Sequence, residues 1–180
     1  ISIEDDHSLS IERTPLSNNQ AGGVGGAIAV STTGPAGSLD ILNSTVSGNT
    51  SSSQGGGIAI TSGSSNSLTN VTIANNQAAI AGGGISVSGS GRLQIGTSIV
   101  AGNRAAADAD ISGIIASAGK NIIQDRGSSS GYTTTDFADG TDPVLDVLAD
   151  NGGETWTHAW RAGSPAHDAG NGIGSGQRGA

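Results

Sequence analysis

The 180-residue chain has no cysteine and no methionine, and its aromatics are two Trp, one Tyr and one Phe. Without cysteine there is no disulfide scaffold and no thiolate metal site. No apolar run approaches the roughly 20 residues that a membrane-spanning helix needs. Basic residues are scarce: seven Lys and Arg face fifteen Asp and Glu, for a net charge of −8. That balance excludes a sequence-nonspecific nucleic-acid binder, which relies on cations against phosphate. Only four prolines occur and the glycines follow no three-residue period, so the chain is not a collagen. Glycine itself is abundant, at 31 residues. Each helix-interior Gly costs roughly 1 kcal/mol, so a helical bundle is excluded too.

A Gly-, Ser- and Asn-rich chain with few aromatics resembles a disordered one in composition. Internal order decides against disorder. The segments GGAIAV, GGGIAI and GGGISV place Ile28, Ile58 and Ile85 in equivalent positions. STVSGN, VTIANN and SIVAGN align Val46, Ile73 and Val100 at an interval of 27 residues, and Ile41, Leu68 and Ile95 keep the same interval. The glycine set is spaced by 30 and then 27, so the first unit carries a three-residue insertion within Ser31–Ser38. Backwards in the same register, Ile11, Leu16 and Asn19 match Ile41, Val46 and Asn49. Repetition at this period is the signature of a solenoid.

Within each unit apolar residues alternate, as in Ile58 and Ile60, Ile85 and Val87, or Leu39 and Ile41. Period two over short runs bounded by Gly, Ser and Asn indicates strands with one buried face. Parity then shifts between Ile41 and Val46 and between Leu68 and Ile73, which places a corner near Asn43 and Asn70. Three short strands and three corners in about 27 residues describe one coil of a parallel β-helix, with coils about 4.8 Å apart. The predicted fold is therefore all-β: a right-handed parallel β-helix stem over residues 1–124, of about four to five coils, followed by a C-terminal capping or extension segment over 125–180. Asn19, Asn49, Asn76 and Asn103 recur at one corner and are expected to stack as a ladder, each amide bonding the next coil. The triplets at Asn43, Asn49 and Asn70 fit the N-glycosylation pattern. The repeat generates them by itself, so a structural role is expected.

Charge and aromatics are unevenly placed. From Ile41 to Gly91 there is no Lys, Arg, Asp or Glu, whereas ten of the fifteen acidic residues lie at or after Asp108. Tyr132, Phe137, Trp156 and Trp160 all fall in the last third. Leu145, Leu148, Trp156 and Trp160 are expected to form the core of a cap that seals the last coil.

The stem units GGGI, LTNVTIANN and GTSIVAGN, then DISGIIASAGKNIIQD (Asp110–Asp125), the stretch Gly140–Asn171 with its order DPVL, ADNGG, THA and GSPAHDAG, and the closing QRGA together resemble the bacterial surface proteins classed as choice-of-anchor Q β-helix proteins. Polymorphic outer-membrane proteins and other adhesins share the Gly-Gly-Ile and Ser-Gly-Asn units. The resemblance implies a right-handed β-helix, export and a role at the cell exterior, and it carries over no catalytic residue. The chain opens on Ile1-Ser2-Ile3-Glu4, which reads as a strand inside a coil, with no initiator Met or secretory signal before it. It also stops soon after the QRG segment, where members of that family usually continue. The expectation is a processed piece of a longer exported protein that stacks end to end with its own copies or other β-helix domains, into a filament.

Two other functions compete. Parallel β-helices host polysaccharide lyases and hydrolases, and a hydrolase needs two carboxylates on one surface. Asp108 and Asp110 are the candidate pair if their stretch is a strand; the only lysine, Lys120, is the candidate base for a lyase and reads as a corner residue. His7 reads as a solvated turn. His158 with Asp168 is the candidate acid–base or metal pair, though a packed strand explains His158 as well. Calcium has weak candidates in Asp139, Asp142 and Asp146, with Asp150 nearby. Asp139-Gly140, Asp142-Pro143 and Asp150-Asn151-Gly152 account for these carboxylates as turns without metal. The third class is recognition by the flat, uncharged Ser/Thr/Ala/Asn wall, which suits lateral packing or surface glycans. Trp156 and Trp160 become glycan-stacking candidates if solvent reaches them. An ice-binding row fails, because Ile99 breaks the alignment of Thr45 and Thr72. The favoured expectation is a secreted or cell-surface structural and adhesive module with no cofactor and no catalytic residue.

Overall fold

A computed structural model describes residues 1–32, 37–62, 65–167 and 169. The chain is a parallel β-helix. Its first rung holds β1 (Ser2–Glu4), β2 (Ser8–Glu12), β3 (Pro15–Ser17) and β4 (Gln20–Ala21). The second holds β5 (Ile28–Ser31), β6 (Ser38–Leu42), β7 (Thr45–Ser47) and β8 (Thr50–Ser51). The third holds β9 (Ile58–Ile60), β10 (Asn66–Thr69), β11 (Thr72–Ala74) and β12 (Gln77–Ala78). The fourth holds β13 (Ile85–Val87), β14 (Leu93–Gly96) and β15 (Ile99–Ala101), and the fifth β16 (Ile111–Ser112), β17 (Ala116–Gly119) and β18 (Ile122–Ile123). Equivalent strands pair in parallel to form three five-stranded sheets and a short three-stranded one. An antiparallel hairpin of β19 (Leu145–Ala149) and β20 (Thr157–Trp160) follows.

Register accounts for the repeat residue by residue. Thr45 pairs with Thr72 and Thr72 with Ile99, an interval of 27. Glu4 pairs with Ser31 but Ser8 with Ser38, so the interval grows from 27 to 30 between those strands, inside the span the sequence indicates. The last rung is shorter, with Ile99 paired to Ile122, an interval of 23. Columns of aliphatic side chains fill the interior, among them Ile28, Ile58, Ile85 and Ile111, all fully buried. Each such burial contributes about 1.5–3 kcal/mol.

Corners are set by backbone conformation. Arg13, Asn43, Asn70, Thr97 and Lys120 form one row, all with φ between 47° and 58°. Asn enters this left-handed region more readily than most side chains. A second row alternates Asn18, Gly48, Asn75 and Gly102. The alternation has a steric cause: a Cβ on Gly48 would lie 2.6 Å from Asn18 Oδ1, and one on Gly102 3.0 Å from Asn75 Oδ1. Each Asn side chain occupies the space its Gly neighbour leaves.

The C-terminal segment, expected as a cap or an extension, does two separate jobs. Residues 127–141 continue the stacking irregularly. Ile115 N–H donates to Ser130 O, Phe137 N–H to Asn121 O and Gly140 N–H to Gln124 O. Tyr132 packs against the end of the aliphatic core, with the Arg126 guanidinium 4.0 Å from its ring centroid. The hairpin instead lies along the side of the stem. His158 reaches Ser47 in the second rung, and Glu154 pairs with Arg13 of the first at 3.3 Å.

This placement also corrects the predicted cap core. Trp156 is 55% exposed and Trp160 37%, while Leu145 and Leu148 are half-buried. The hairpin contributes Thr155, Thr157 and His158 as buried residues, and the sheet it crosses offers buried Thr45, Ser47, Ala74 and Ala101. A flat wall of small side chains provides no pocket for an indole, so the rings stay at the surface.

Candidate functional site

The chemistry-bearing side chains gather along two polar stacks and at the hairpin contact. In the first stack, the backbone N–H and Nδ2 of Asn19 both donate to Asn49 Oδ1, at 2.9 and 2.8 Å. Asn49 makes the same pair of bonds to Asn76, and Asn76 to Asn103, all at 2.9 Å. The second hydrogen of each amide goes backwards: Asn49 Nδ2 donates to Leu16 O, Asn76 Nδ2 to Val46 O and Asn103 Nδ2 to Ile73 O. The ladder expected from the sequence thus joins all four asparagines. It also removes the glycosylation reading at Asn49, which is fully buried.

Asp110, which sequence reasoning paired with Asp108, ends this ladder. Its Oδ1 accepts from Asn103 N–H at 3.2 Å and from Asn103 Nδ2 at 2.8 Å, and its Oδ2 accepts Asp125 N–H at 2.8 Å. It is 1% exposed, and burial pushes its pKa up to about 6 against the opposing effect of these hydrogen bonds. A carboxylate only accepts, so it takes what the last Asn donates and passes on no donor of its own. The signal available in the sequence was an acidic residue just before an apolar β segment, seven residues after the last ladder Asn. Asp108 takes a different role. It sits at a corner with φ 49°, and its carboxylate accepts the N–H and hydroxyl of Ser128 at 2.7 and 3.0 Å. The Ser128 backbone bond holds its pKa below the usual carboxylate value. The two carboxylates do not share a face, because this stretch turns a corner where a strand was supposed.

The second stack follows the same plan but is interrupted at Val71, whose side chain accepts nothing. Thr14 N–H donates to Ser44 Oγ, Val71 N–H to Ser98 Oγ, and Ser98 N–H to Asn121 Oδ1, at 3.0 to 3.1 Å. Asn121 then donates its N–H and Nδ2 to Asp136 Oδ1, at 3.0 and 2.9 Å. Burial works to raise the Asp136 pKa, but hydrogen bonds from Ser117, Thr133 and Asn121 outweigh it and lower the value. Neither this stack nor its terminator was read from the sequence, because Ser, Val and Asn alternate in it.

At the hairpin, His158 is 7% exposed. Its Nδ1 lies 2.6 Å from Asp146 O, a carbonyl that only accepts, so Nδ1 carries the proton. Nε2 is then the acceptor for the Ser47 hydroxyl at 2.8 Å. Burial lowers the His158 pKa. The ring fastens hairpin to stem; its sequence partner Asp168 lies outside the described residues. We expect His158→Ala to orphan the Ser47 hydroxyl and loosen the hairpin by about 2 kcal/mol. Limited trypsinolysis at Arg161 will then accelerate while the far-ultraviolet spectrum of the stem is unchanged. Unaltered cleavage kinetics would contradict this role.

The calcium candidates are dispersed. Asp139 accepts Arg126 N–H, Asp142 accepts Val144 N–H, Asp146 binds Arg161 and Asp150 accepts Gly152 N–H. Among the described residues, no group of three or more His, Asp or Glu could hold a metal ion. Lys120 occupies a corner with φ 58°. A groove of about 130 Å³ lies between the hairpin entry and the wall, lined by Ala74, Ala101, Pro143 and Leu145 with Asp142 at its side. That is well below the roughly 300–1,000 Å³ of ordinary ligand sites. No helix among the described residues is long and apolar enough to cross a membrane.

Fold and stacks together define a β-solenoid whose polar side chains bind rung to rung and whose C-terminal end is closed by carboxylates. No family model, no curated protein and no solved structure matches the chain.

Proposed function

We propose that the chain is a non-catalytic structural and adhesive module of a secreted or surface-exposed bacterial protein, as its resemblance to choice-of-anchor Q β-helix proteins implies. One observation carries the reading. The carboxylates and imidazole that an enzyme on this fold would use are engaged by the scaffold: Asp108 by Ser128, Asp110 by Asn103 and Asp125, His158 by Ser47 and Asp146. In this reading the module works through its ends and its outer surface.

A second reading concerns surface glycans. Trp156 and Trp160 are exposed on and beside the hairpin, and aromatic faces are the usual platforms for sugar rings. Both readings meet in one experiment. The purified chain is incubated with a panel of bacterial and plant polysaccharides, while binding, new reducing ends and unsaturated uronate are recorded. Binding that is lost in Trp156→Ala or Trp160→Ala, with no cleavage, is the expected result for an adhesive module. Cleavage that disappears in Asp108→Asn establishes instead the polysaccharide lyase or hydrolase.

A further inference from the structure

One ionisable ring stands in the contact between hairpin and stem. Of the ionisable side chains from Leu145 to Arg161, only that of His158 is buried. Its Nδ1 donates to Asp146 O and its Nε2 accepts the Ser47 hydroxyl, so the docked ring is neutral. The packing around it is light. A gap of about 130 Å³ remains between Pro143 and Leu145 on one side and Ala74 and Ala101 of the wall on the other. Val147 and Trp156 face solvent. The Glu154–Arg13 pair is exposed on both partners, where water screens it.

A second proton on that ring meets no countercharge. The wall strands β3, β7, β11 and β15 carry no ionisable side chain, and neither does β18 beside them. On the hairpin, Arg161 takes the Asp146 carboxylate, Gly152 N–H takes Asp150, and Arg13 of the neighbouring corner takes Glu154. Asp142 is held by Val144 N–H, and His167 lies edge-on against Trp160. A buried imidazolium without a partner is costly, and burial already lowers the proton affinity of this ring. The joint to the stem is strained as well. The chain leaves the stacked segment at Asp142-Pro143-Val144, and Val144 has φ 51°, which a β-branched side chain resists. Such strain persists only where neighbours hold it, and it collects at switch regions. The stem responds to acid in the opposite sense: Asp110, with its pKa pushed up to about 6, favours the folded ladder as it takes its proton.

We infer that the hairpin is an acid-released strap: when His158 takes a second proton, β19 and β20 leave the wall while the rungs beneath stay stacked. The proton comes from solvent onto Nε2, and the charged ring exchanges its buried site for water. Detachment uncovers Thr45, Ser47, Ala74 and Ala101, an uncharged surface of small side chains. Linkage fixes the sign. The docked ring binds its proton less tightly than the free one, so docking is complete above about pH 6.5 and weakens as the pH falls. One proton limits the change in the docking equilibrium to about tenfold per pH unit. The strap goes beyond the structural reading above and depends on neither export nor adhesion.

Hydrogen exchange of the full chain, corrected for the intrinsic rate at each pH, tests the strap. A detached two-stranded hairpin is marginally stable in water, so release reads out as lost protection in β19 and β20. Between about pH 7.5 and about pH 5 that protection should fall by about tenfold, while amides of β9, β10, β11 and β13 keep theirs. His158→Gln, which donates and accepts at every pH, should abolish the pH dependence whether or not it docks as firmly. His167→Gln should leave the dependence in place. Hairpin protection that is flat across this range overturns the inference. So does a fall that survives in His158→Gln, one that disappears in His167→Gln, or one that the stem amides share. Polysaccharide cleavage would remove the structural reading without altering any of these results.

Discussion

Asn76→Ala is expected to destabilise the chain by about 4 kcal/mol, a large share of the roughly 5–15 kcal/mol that holds a domain together. Asn76 is 1% exposed, and its side chain takes part in four hydrogen bonds. Its Oδ1 receives the N–H and Nδ2 of Asn49, and its Nδ2 serves both Asn103 Oδ1 and Val46 O. Alanine leaves the Asn49 N–H and one Nδ2 hydrogen of Asn49 without an acceptor inside a rung where water does not reach. Each buried orphan costs about 1–3 kcal/mol, and a methyl group offsets little of that. The same substitution at Asn19 should cost about 1 kcal/mol, since that residue is exposed and water replaces its bonds. Urea denaturation read at the transition midpoint separates the two. Equal, small shifts at Asn19 and Asn76 would show that the ladder adds nothing to the aliphatic columns.

The stem was legible because a solenoid writes every pairing at a fixed interval. Ile28, Ile58 and Ile85 reveal one inward column and Val46, Ile73 and Val100 another, so the strands, their parity and the Asn ladder follow from repetition alone. Legibility fails where the interval fails. The last rung contracts to 23 residues, which leaves Arg126, and no Asn, at the place after Asn103. Asp110 fills the vacancy from the preceding corner, and nothing periodic announces it. The hairpin was misread for a different reason. Trp156, Trp160, Leu145 and Leu148 have the composition of a lid, and composition does not say which surface a segment meets. The hint lay in the stem: Thr45, Ser47, Ala74 and Ala101 are small, uncharged and outward in register, which suits a surface that is covered. Sequence reasoning gave the stem wall as a whole to lateral packing or a glycan and did not single out this sheet, on which the chain's own hairpin lies.

A pH titration should show two opposing contributions to stability, one from each buried ionisable group. Asp110 has its pKa raised from 3.8 to about 6 in the folded state, so the fold holds its proton more tightly than the unfolded chain does. Its contribution is complete below about pH 4 and is lost as the pH rises through about 6, a decline of about 3 kcal/mol at about 1.4 kcal/mol per unit. His158 has its pKa lowered from 6.5, so the neutral ring belongs to the fold. Its contribution is complete above about pH 6.5 and falls as acid protonates the ring, which would then hold two hydrogens between Ser47 and a carbonyl. Around the ring, the wall strands β3, β7, β11 and β15 present no ionisable side chain, and on the hairpin the Asp146 carboxylate is bound to Arg161. Nothing adjacent neutralises an imidazolium. Asp110→Asn should therefore abolish the loss of stability between pH 4 and 6, at the expense of the bond from Asp125 N–H. The acid limb set by His158 should then stand alone, with stability rising through pH 6.5. Urea midpoints for both chains from pH 4 to 8 provide the measurement. A wild-type midpoint that climbs steadily from pH 4 to 6, matched by Asp110→Asn, would mean that the ladder ends on a carboxylate already ionised throughout that range.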